Sequence, residues 1–155
     1  GPAIRAWSPR DGDHLLYHQT GGSAGGGQAT DWDYLVRSVA EEGMVLNLTI
    51  TTDAQPPQTI LSGESVHPLE NTSLGVAFCP YPSAGPFAVE LVGNETLQTP
   101  YGPLECNHLL VLRLGNGTDD RWREDLFVRQ GVLVRMERLD QDQFRMDLIE
   151  TNLDL

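Results

Sequence analysis

The chain has 155 residues and a formal net charge of −12 at pH 7, from 22 acidic and ten basic side chains. All ten basic residues are arginines, because the sequence contains no lysine. An acidic surface without a basic patch repels the phosphates of nucleic acids and of anionic lipids, so the composition argues against both kinds of partner.

A single domain over residues 1–155 is expected, because this length is typical of one domain. The chain begins with Gly1 and Pro2, as the remnant of a cleaved purification tag does. We expect residues 1–10 to be a flexible N-terminal segment. We also expect that a targeting or anchoring sequence has been removed ahead of it. No run of about 20 apolar residues occurs, so no membrane-spanning helix is predicted.

The first strand is predicted over His14–Thr20, in which apolar and polar positions alternate. Leu15 and Tyr17 would face one side of a sheet, and Leu16 and His18 the other. The glycine-rich residues 21–28 that follow are predicted to form a loose loop.

The next segment, Asp31–Gly43, fits two patterns. Trp32, Val36 and Val39 recur at helical spacing, whereas Trp32, Tyr34 and Val36 also alternate as in a strand. Its aromatic and β-branched content favours a strand. The residue pattern alone leaves a strand and one short helix both open.

The middle of the chain indicates short strands separated by proline and glycine. Residues 79–86, dense in both, are predicted to cross from one edge of a sheet to another. Gly93 and Asn94 are predicted to turn the chain after the strand that begins at Phe87. The strands predicted in this part are Met44–Thr52, Thr59–Val66, Leu74–Phe78 and Phe87–Val92.

The last third has the most regular pattern, with turn signals between consecutive short strands. In its first strand Leu104, Cys106 and His108 lie on one face. Such spacing predicts an antiparallel meander and therefore an all-β fold. The strands predicted here are Leu104–Leu114, Arg121–Arg129, Val132–Leu139 and Phe144–Glu150.

The chain has two cysteines, Cys79 and Cys106. A disulfide between them would close a loop long enough to stabilise the fold by about 3 kcal/mol. Such a bond would indicate an oxidising, extracytoplasmic compartment. The alternative is a pair of buried free thiols.

Four Asn-x-Ser/Thr sequons are present, at Asn47, Asn71, Asn94 and Asn116. They are the acceptor sites expected of a glycosylated eukaryotic or viral ectodomain. The alternative is that asparagine and threonine occur there because turns and strands favour them.

No catalytic, metal-binding or cofactor-binding group is predicted. His14 and His18 lie four positions apart, which on a strand separates them by about 13 Å, too far for ligands of one ion. Ser65 and His67 could approach each other, but no third group that would orient them is identifiable. Acidic pairs such as Asp11 and Asp13 are expected to be solvated turn carboxylates, since they lack the full spacing of a calcium loop.

Several passages resemble bacterial periplasmic proteins of the DUF3108-like group. The turn in Glu95-Thr-Leu-Gln-Thr-Pro-Tyr-Gly-Pro-Leu-Glu-Cys106 is similar to a Thr-Pro-Ala-Gly-Thr-Phe-Glu-Cys turn of that group, although Tyr101 and Pro103 replace smaller residues. The strands after it, one with Arg121-Trp122-Arg123 and one with Val132-Leu-Val-Arg-Met-Glu-Arg138, also match in order. The opening Pro9-Arg-Asp-Gly-Asp-His-Leu-Leu-Tyr17 and the passage Trp32-Asp-Tyr-Leu-Val36 are similar to that group's first two strands.

The resemblance implies a strongly twisted antiparallel sheet, shaped as a half-barrel or incomplete barrel like the lipoprotein-carrier folds. It favours a strand over Asp31–Gly43 and a periplasmic or secreted location without enzymatic activity. If the half-barrel has a concave apolar face, its aromatic residues could hold an acyl chain or apolar peptide. The candidate residues for that face are Trp32, Tyr34, Trp122 and Phe127.

The function expected from the sequence is therefore a non-enzymatic extracytoplasmic binding or scaffold module. Its partner would be a lipid, a lipoprotein or an envelope protein, held on the concave face or on an edge of the sheet. The alternative is a glycosylated eukaryotic or viral ectodomain that acts in protein–protein recognition.

Overall fold

A computed structural model describes residues 7–21, 29–41, 43–67, 87–113, 122–138 and 143–155 of the chain, apart from the side chains of His67, Phe87, Arg113 and Trp122. Every regular element within these ranges is a β-strand, which confirms the all-β prediction. No helix that is long and apolar enough to cross a membrane occurs among them.

The strands form one antiparallel sheet of nine strands. In chain order they are β1 (His14–Thr20), β2 (Thr30–Ala40), β3 (Gly43–Thr52), β4 (Gln58–His67), β5 (Phe87–Thr99), β6 (Gly102–Arg113), β7 (Trp122–Arg129), β8 (Val132–Arg138) and β9 (Phe144–Thr151). Most of the segment Asp31–Gly43, which the residue pattern left open, therefore lies in the strand β2, and Gly43 begins β3.

The sheet consists of two meanders that meet in its middle. Its strand order is β4-β3-β2-β1-β9-β8-β7-β6-β5, so the first and last strands of the chain lie side by side. Within the described residues β4 pairs only with β3 and β5 only with β6. The sheet is therefore open, as predicted for an incomplete barrel, and β4 and β5 are its two edges.

Alternation along the strands gives the sheet two unlike faces. We call the side that holds Leu15 and Tyr17 the core face, and the side that holds Leu16 and His18 the outer face. Leu15 and Tyr17 are fully buried, whereas Leu16 and His18 are only half-buried. The Tyr17 hydroxyl donates a hydrogen bond of 2.8 Å to the carbonyl oxygen of Leu133 on β8, so the core face is also tied across strands.

Tight turns join β7 to β8 and β5 to β6. Gln130 and Gly131 connect β7 and β8 with φ angles of 52° and 77°, the pair of positive angles that suits the twist of a tight hairpin. Between β5 and β6, the Thr99 hydroxyl donates to the Gly102 carbonyl (2.8 Å) and accepts from the Tyr101 amide (3.0 Å).

The turn predicted at Gly93 and Asn94 is wrong, because β5 continues through both residues to Thr99. The register between β5 and β6 shifts between Leu91 and Gly93, so the chain accommodates one extra residue as a β-bulge there. A glycine followed by asparagine is compatible with a turn or with a β-bulge, and the pairing with β6 decides which of the two forms.

The N-terminal segment joins the core earlier than predicted. Trp7 is 8% exposed and belongs to the main core cluster, so the interpretation of residues 1–10 as a flexible segment does not hold for Trp7. The first six residues, the glycine-rich residues 22–28 and the strand predicted at Leu74–Phe78 lie outside the described residues.

Candidate functional site

The core face is filled by the protein's own side chains. Tyr34 is 2% exposed and packs edge-to-face on Tyr17, with ring centroids 6.0 Å apart. Trp32 is half-buried and packs against the same cluster. The predicted ligand face is thus occupied where these two aromatic residues lie. The buried members of this cluster are Trp7, Leu15, Tyr17, Tyr34, Val36, Met44, Leu46, Leu109, Val111, Leu126, Val128, Val132, Leu133, Met136, Phe144, Met146 and Leu148.

A buried amide organises the polar end of the core face. Gln19 is fully buried, and its carbonyl oxygen accepts hydrogen bonds from the Trp32 indole (2.8 Å) and from the Thr30 hydroxyl (3.1 Å). Its amide nitrogen donates to the Gly21 carbonyl at 3.3 Å. Because these bonds fix the indole of Trp32 against the sheet, this residue is a structural part of the fold.

The hairpin of β5 and β6 projects beyond the rest of the sheet. Asn107–Arg113 of β6 pair with β7, whereas residues 102–106 pair with β5 alone. We call residues 94–107 the hairpin arm. A second buried cluster, separate from the main core, joins this arm to β7 and β8 and consists of Leu97, Leu104, Cys106, Phe127 and Val134.

This second cluster lies on the outer face, which means that the arm folds over that face. Phe127 alternates with Leu126 and Val128, which belong to the main core, so its ring points to the other side. The register between β7 and β8 shifts beside Phe127, and Val134 is the extra residue of the resulting bulge. Both side chains are thereby directed toward the arm.

Polar contacts hold the arm in place. Arg129 donates one hydrogen bond to the Glu105 carbonyl of the arm and one to the Leu155 carbonyl, both at 3.0 Å. At the tip of the arm, burial raises the pKa of the Tyr101 hydroxyl, while a hydrogen bond with the backbone of Thr151 opposes this shift. The tip therefore reaches as far as the end of β9.

The root of the arm carries a charged network around His108. Its Nδ1 lies 3.0 Å from a carboxylate oxygen of Glu95 on β5, and its Nε2 lies 2.7 Å from one of Asp125 on β7. The imidazole also stacks on Phe127, with 4.5 Å between ring centroids. Burial by itself would raise the pKa of Asp125, but hydrogen bonds from Arg123 and His108 outweigh it and leave this pKa below its usual range.

Cys106, His108 and Asp125 have the residue types of a nucleophilic triad, but their geometry does not assemble one. Both imidazole nitrogens of His108 contact carboxylates, so neither is directed at the thiol. Burial raises the pKa of the Cys106 thiol to about 11, and nearby Arg129 and Arg135 oppose this only in part. A buried thiol with this pKa is a poor nucleophile.

The other described histidine side chains also contact carboxylates on the outer face. His14 lies 2.6 Å from an oxygen of Asp33, and His18 lies 2.6 Å from an oxygen of Asp31. Each pair joins β1 to β2, so the two histidines serve different carboxylates. Among the described residues, no group of three or more His, Cys, Asp or Glu side chains could hold a metal ion.

Both edge strands expose apolar side chains. On β4, Leu61 is 47% and Val66 is 72% exposed; on β5, Leu91 is 42% and Val92 is 52% exposed. Leu61 lies opposite Ile50 and Leu91 opposite Leu109, and both of these partners are buried. The apolar core face therefore continues outward to both edges of the sheet.

The structure separates Phe127 from two other residues of the predicted ligand face. Trp32 and Tyr34 lie on the core face, whereas Phe127 lies in the second cluster on the outer face. The side chain of Trp122 lies outside the described part of the structure. Alternation along β7 is the signal that could have placed Phe127 on the outer face, because its neighbours Leu126 and Val128 are core residues.

The disulfide and the glycan sites remain predictions. Cys106 is free and buried in the structure, and Cys79 lies outside the described residues. Asn94 is exposed, and its side chain accepts a hydrogen bond from Asn107 at 2.9 Å, while Asn47 is half-buried on β3. Asn71 and Asn116 fall outside the described ranges.

The chain shares its fold with solved structures of two bacterial proteins. One, from Bacteroides fragilis NCTC 9343, is provisionally described as an exported protein with a YmcC-like fold; it is 15% identical, with a TM-score of 0.55 and coverage of 98% of this chain and 100% of that one. The other, from Parabacteroides distasonis ATCC 8503, is provisionally described as a lipoprotein; it is 11% identical, with the same TM-score and coverage.

No protein-family model matches the chain. No curated protein matches it either. The two solved structures are consistent with the loose sequence resemblance to the DUF3108-like proteins, because one is described as an exported protein and the other as a lipoprotein. This agreement concerns the fold, and no family match supports it.

Proposed function

We propose that this chain is a non-enzymatic, extracytoplasmic binding module that holds an envelope protein or lipoprotein on an open edge of its sheet. The observation that carries the proposal is the exposed apolar surface on both edge strands, next to a core face that is already filled. An unpaired strand offers backbone N–H and C=O groups to an extended segment, and its side chains contribute specificity.

The filled core favours a protein partner over a lipid in the core face. Trp32 and Tyr34, which would line a lipid site, are fixed by Gln19 and by Tyr17. An acyl chain would have to displace these contacts, whereas a partner strand could be added beside Val89 and Leu91 without displacing any described residue. The absence of enzymatic activity is proposed because, among the described residues, Cys106, His108 and Asp125 have the residue types of a triad but not its geometry. Both imidazole nitrogens contact carboxylates, and burial raises the pKa of the thiol.

Site-specific photo-crosslinking in cells of the source organism would test this proposal. A photoreactive residue at Leu61 or at Val89 is expected to give adducts with a discrete envelope protein. The same residue at Arg37, which is exposed on the inner strand β2, is the matched control and is expected to give none.

A blocking variant completes the design. Leu91→Lys places a charge on the core side of β5 and is expected to abolish the adduct formed at Val89. A cooperative urea-unfolding transition of the purified variant would confirm that it is still folded. Equal adducts from Arg37 and from the edge positions, or no adduct from either edge, would contradict an edge-binding function.

A further inference from the structure

A groove of about 210 Å³ lies on the outer face, between the tip of the hairpin arm and strands β8 and β9. One wall is the arm tip, and the floor is formed by residues of β8 and β9. This groove is separate from the sheet edges on which the proposed partner would bind. Its lining residues are Gln98, Thr99, Pro100, Val134, Arg135, Arg145, Asp147, Leu148 and Ile149.

Two arginines in this groove share one carboxylate. Arg135 donates from Nε to one oxygen of Asp147 at 2.7 Å, and Arg145 donates from Nε to the other oxygen, also at 2.7 Å. Arg145 adds a longer contact of 3.4 Å from Nη2. Asp147 therefore fixes the orientation of both guanidinium groups from the side.

The end of the Arg135 guanidinium remains available for a ligand. Its only hydrogen bond within the described part of the chain comes from Nε, so the paired Nη1 and Nη2 groups are not engaged there. These two groups form a planar fork that matches the two oxygens of a carboxylate. Because Asp147 already holds the side chain, little conformational entropy would be lost on binding.

Charge and polarity define what fits the groove. Its lining holds two guanidinium groups against one carboxylate, in a chain whose net charge is −12. Glu137 lies opposite Arg145 in register, and Glu150 lies near Tyr101, so acidic groups flank the groove without lining it. Pro100, Val134 and Ile149 make much of the remaining lining apolar.

We infer that this groove binds a small monocarboxylate with a short apolar chain, of the fatty-acid type. The carboxylate would accept hydrogen bonds from the Arg135 fork, and the chain would lie against the apolar lining. The groove volume of about 210 Å³ suits a short ligand, so a chain of about six carbons is the first length to test.

Titration of the isotope-labelled protein with hexanoate, followed by NMR, tests this inference. Saturable shifts are expected at the Nε–H signals of Arg135 and Arg145 and at the amide of Ile149. Arg145→Gln, at a side chain that is 42% exposed, should leave the fold intact and weaken hexanoate binding about tenfold, because the positive charge of Arg145 would no longer offset the negative charge of Asp147 beside the Arg135 fork.

Matched controls make the outcome decisive. Arg123→Gln removes another outer-face arginine paired with an aspartate, but outside the groove, and should bind hexanoate as the unchanged chain does. Hexanol, which lacks the charge, and acetate, which lacks the chain, should both bind more weakly than hexanoate. The inference is overturned if acetate binds as tightly as hexanoate, if Arg145→Gln has no effect, or if the shifts fall outside the groove.

Discussion

His108 connects three strands at the place where the hairpin arm leaves the sheet. Its ring contacts Glu95 on β5 and Asp125 on β7 and stacks on Phe127 of the second cluster. The side chain of Asp125 is only 13% exposed, so its charge is supported mainly by protein donors. The loss of that charge should therefore be felt in the stability of the fold.

We predict that Asp125 contributes to the acid sensitivity of the protein. Its pKa is lowered in the folded state, so its stabilising effect is complete above the unfolded value of about 3.9 and is lost as the pH falls through the folded pKa. Asp125→Asn should flatten the decrease in unfolding free energy between about pH 4 and pH 2, measured by urea denaturation. Asp53→Asn, at an exposed aspartate, is the control, and an Asp125→Asn profile as steep as that of the unchanged chain would contradict the prediction.

The hairpin arm is an element with its own small core. Five buried residues form the second cluster, and the arm has no ladder to β7 over residues 102–106. A small cluster and a few polar contacts stabilise docking less than the main core stabilises the sheet. The arm should therefore separate from the outer face more readily than the sheet unfolds.

We predict that Leu97→Ala loosens the arm without unfolding the sheet. Buried Cys106 reports on this, because its thiol can be alkylated only when the arm opens. In a Cys79→Ser background, Leu97→Ala should raise the rate of alkylation by iodoacetamide at least about tenfold. An unchanged rate would show that the cluster does not control access to the thiol.

Leu126→Ala in the main core is the matched comparison for this variant. It should cost about 2–5 kcal/mol of unfolding free energy, because Leu126 is fully buried on the core face. Leu97→Ala should cost less in the same urea titration, although it exposes the thiol more.

At the scale of the whole molecule, acidic charge opposes folding. The net charge of −12 repels itself in the compact state, while the ion pairs of the outer face provide local attraction. Many of these pairs are partly exposed and so contribute little each. Repulsion should be the larger of the two effects.

We predict that salt stabilises the protein. Raising NaCl from about 20 mM to about 200 mM shortens the screening length to below about 10 Å and should increase the unfolding free energy measured in urea. Choline chloride at the same ionic strength serves as a control for specific cation binding. A decrease with salt would mean that the outer-face ion pairs outweigh the repulsion.

The sequence predicts local structure better than it predicts which parts meet. Alternation in His14–Thr20 and Met44–Thr52 indicates these strands and their faces, because a period of two residues is a local property. The bulge after Leu91 and the folding of the arm over Phe127 depend on partners far away in the chain. The alternating pattern could therefore not reveal them.

The candidate site shows the same limit. Cys106 and His108 share a face in the sequence pattern, but Glu95 and Asp125 reach His108 from two other strands. Arg135 and Arg145 likewise come together only because β8 pairs with β9. From the sequence alone, a charged residue on an outer face is predicted to be solvated, because its cross-strand partners are not known.

The position of β1 beside β9 has a consequence for vectorial synthesis. Seven of the eight pairings among the described strands join neighbours in the sequence, and only β1 with β9 spans nearly the whole chain. When the chain leaves the ribosome or a translocation channel, β1 to β4 can pair at once. The far side of β1, however, has no partner until Phe144–Thr151 emerges. During that interval an apolar strand is open to wrong partners, so we expect the nascent N-terminal half to be the form of this protein that most needs a chaperone.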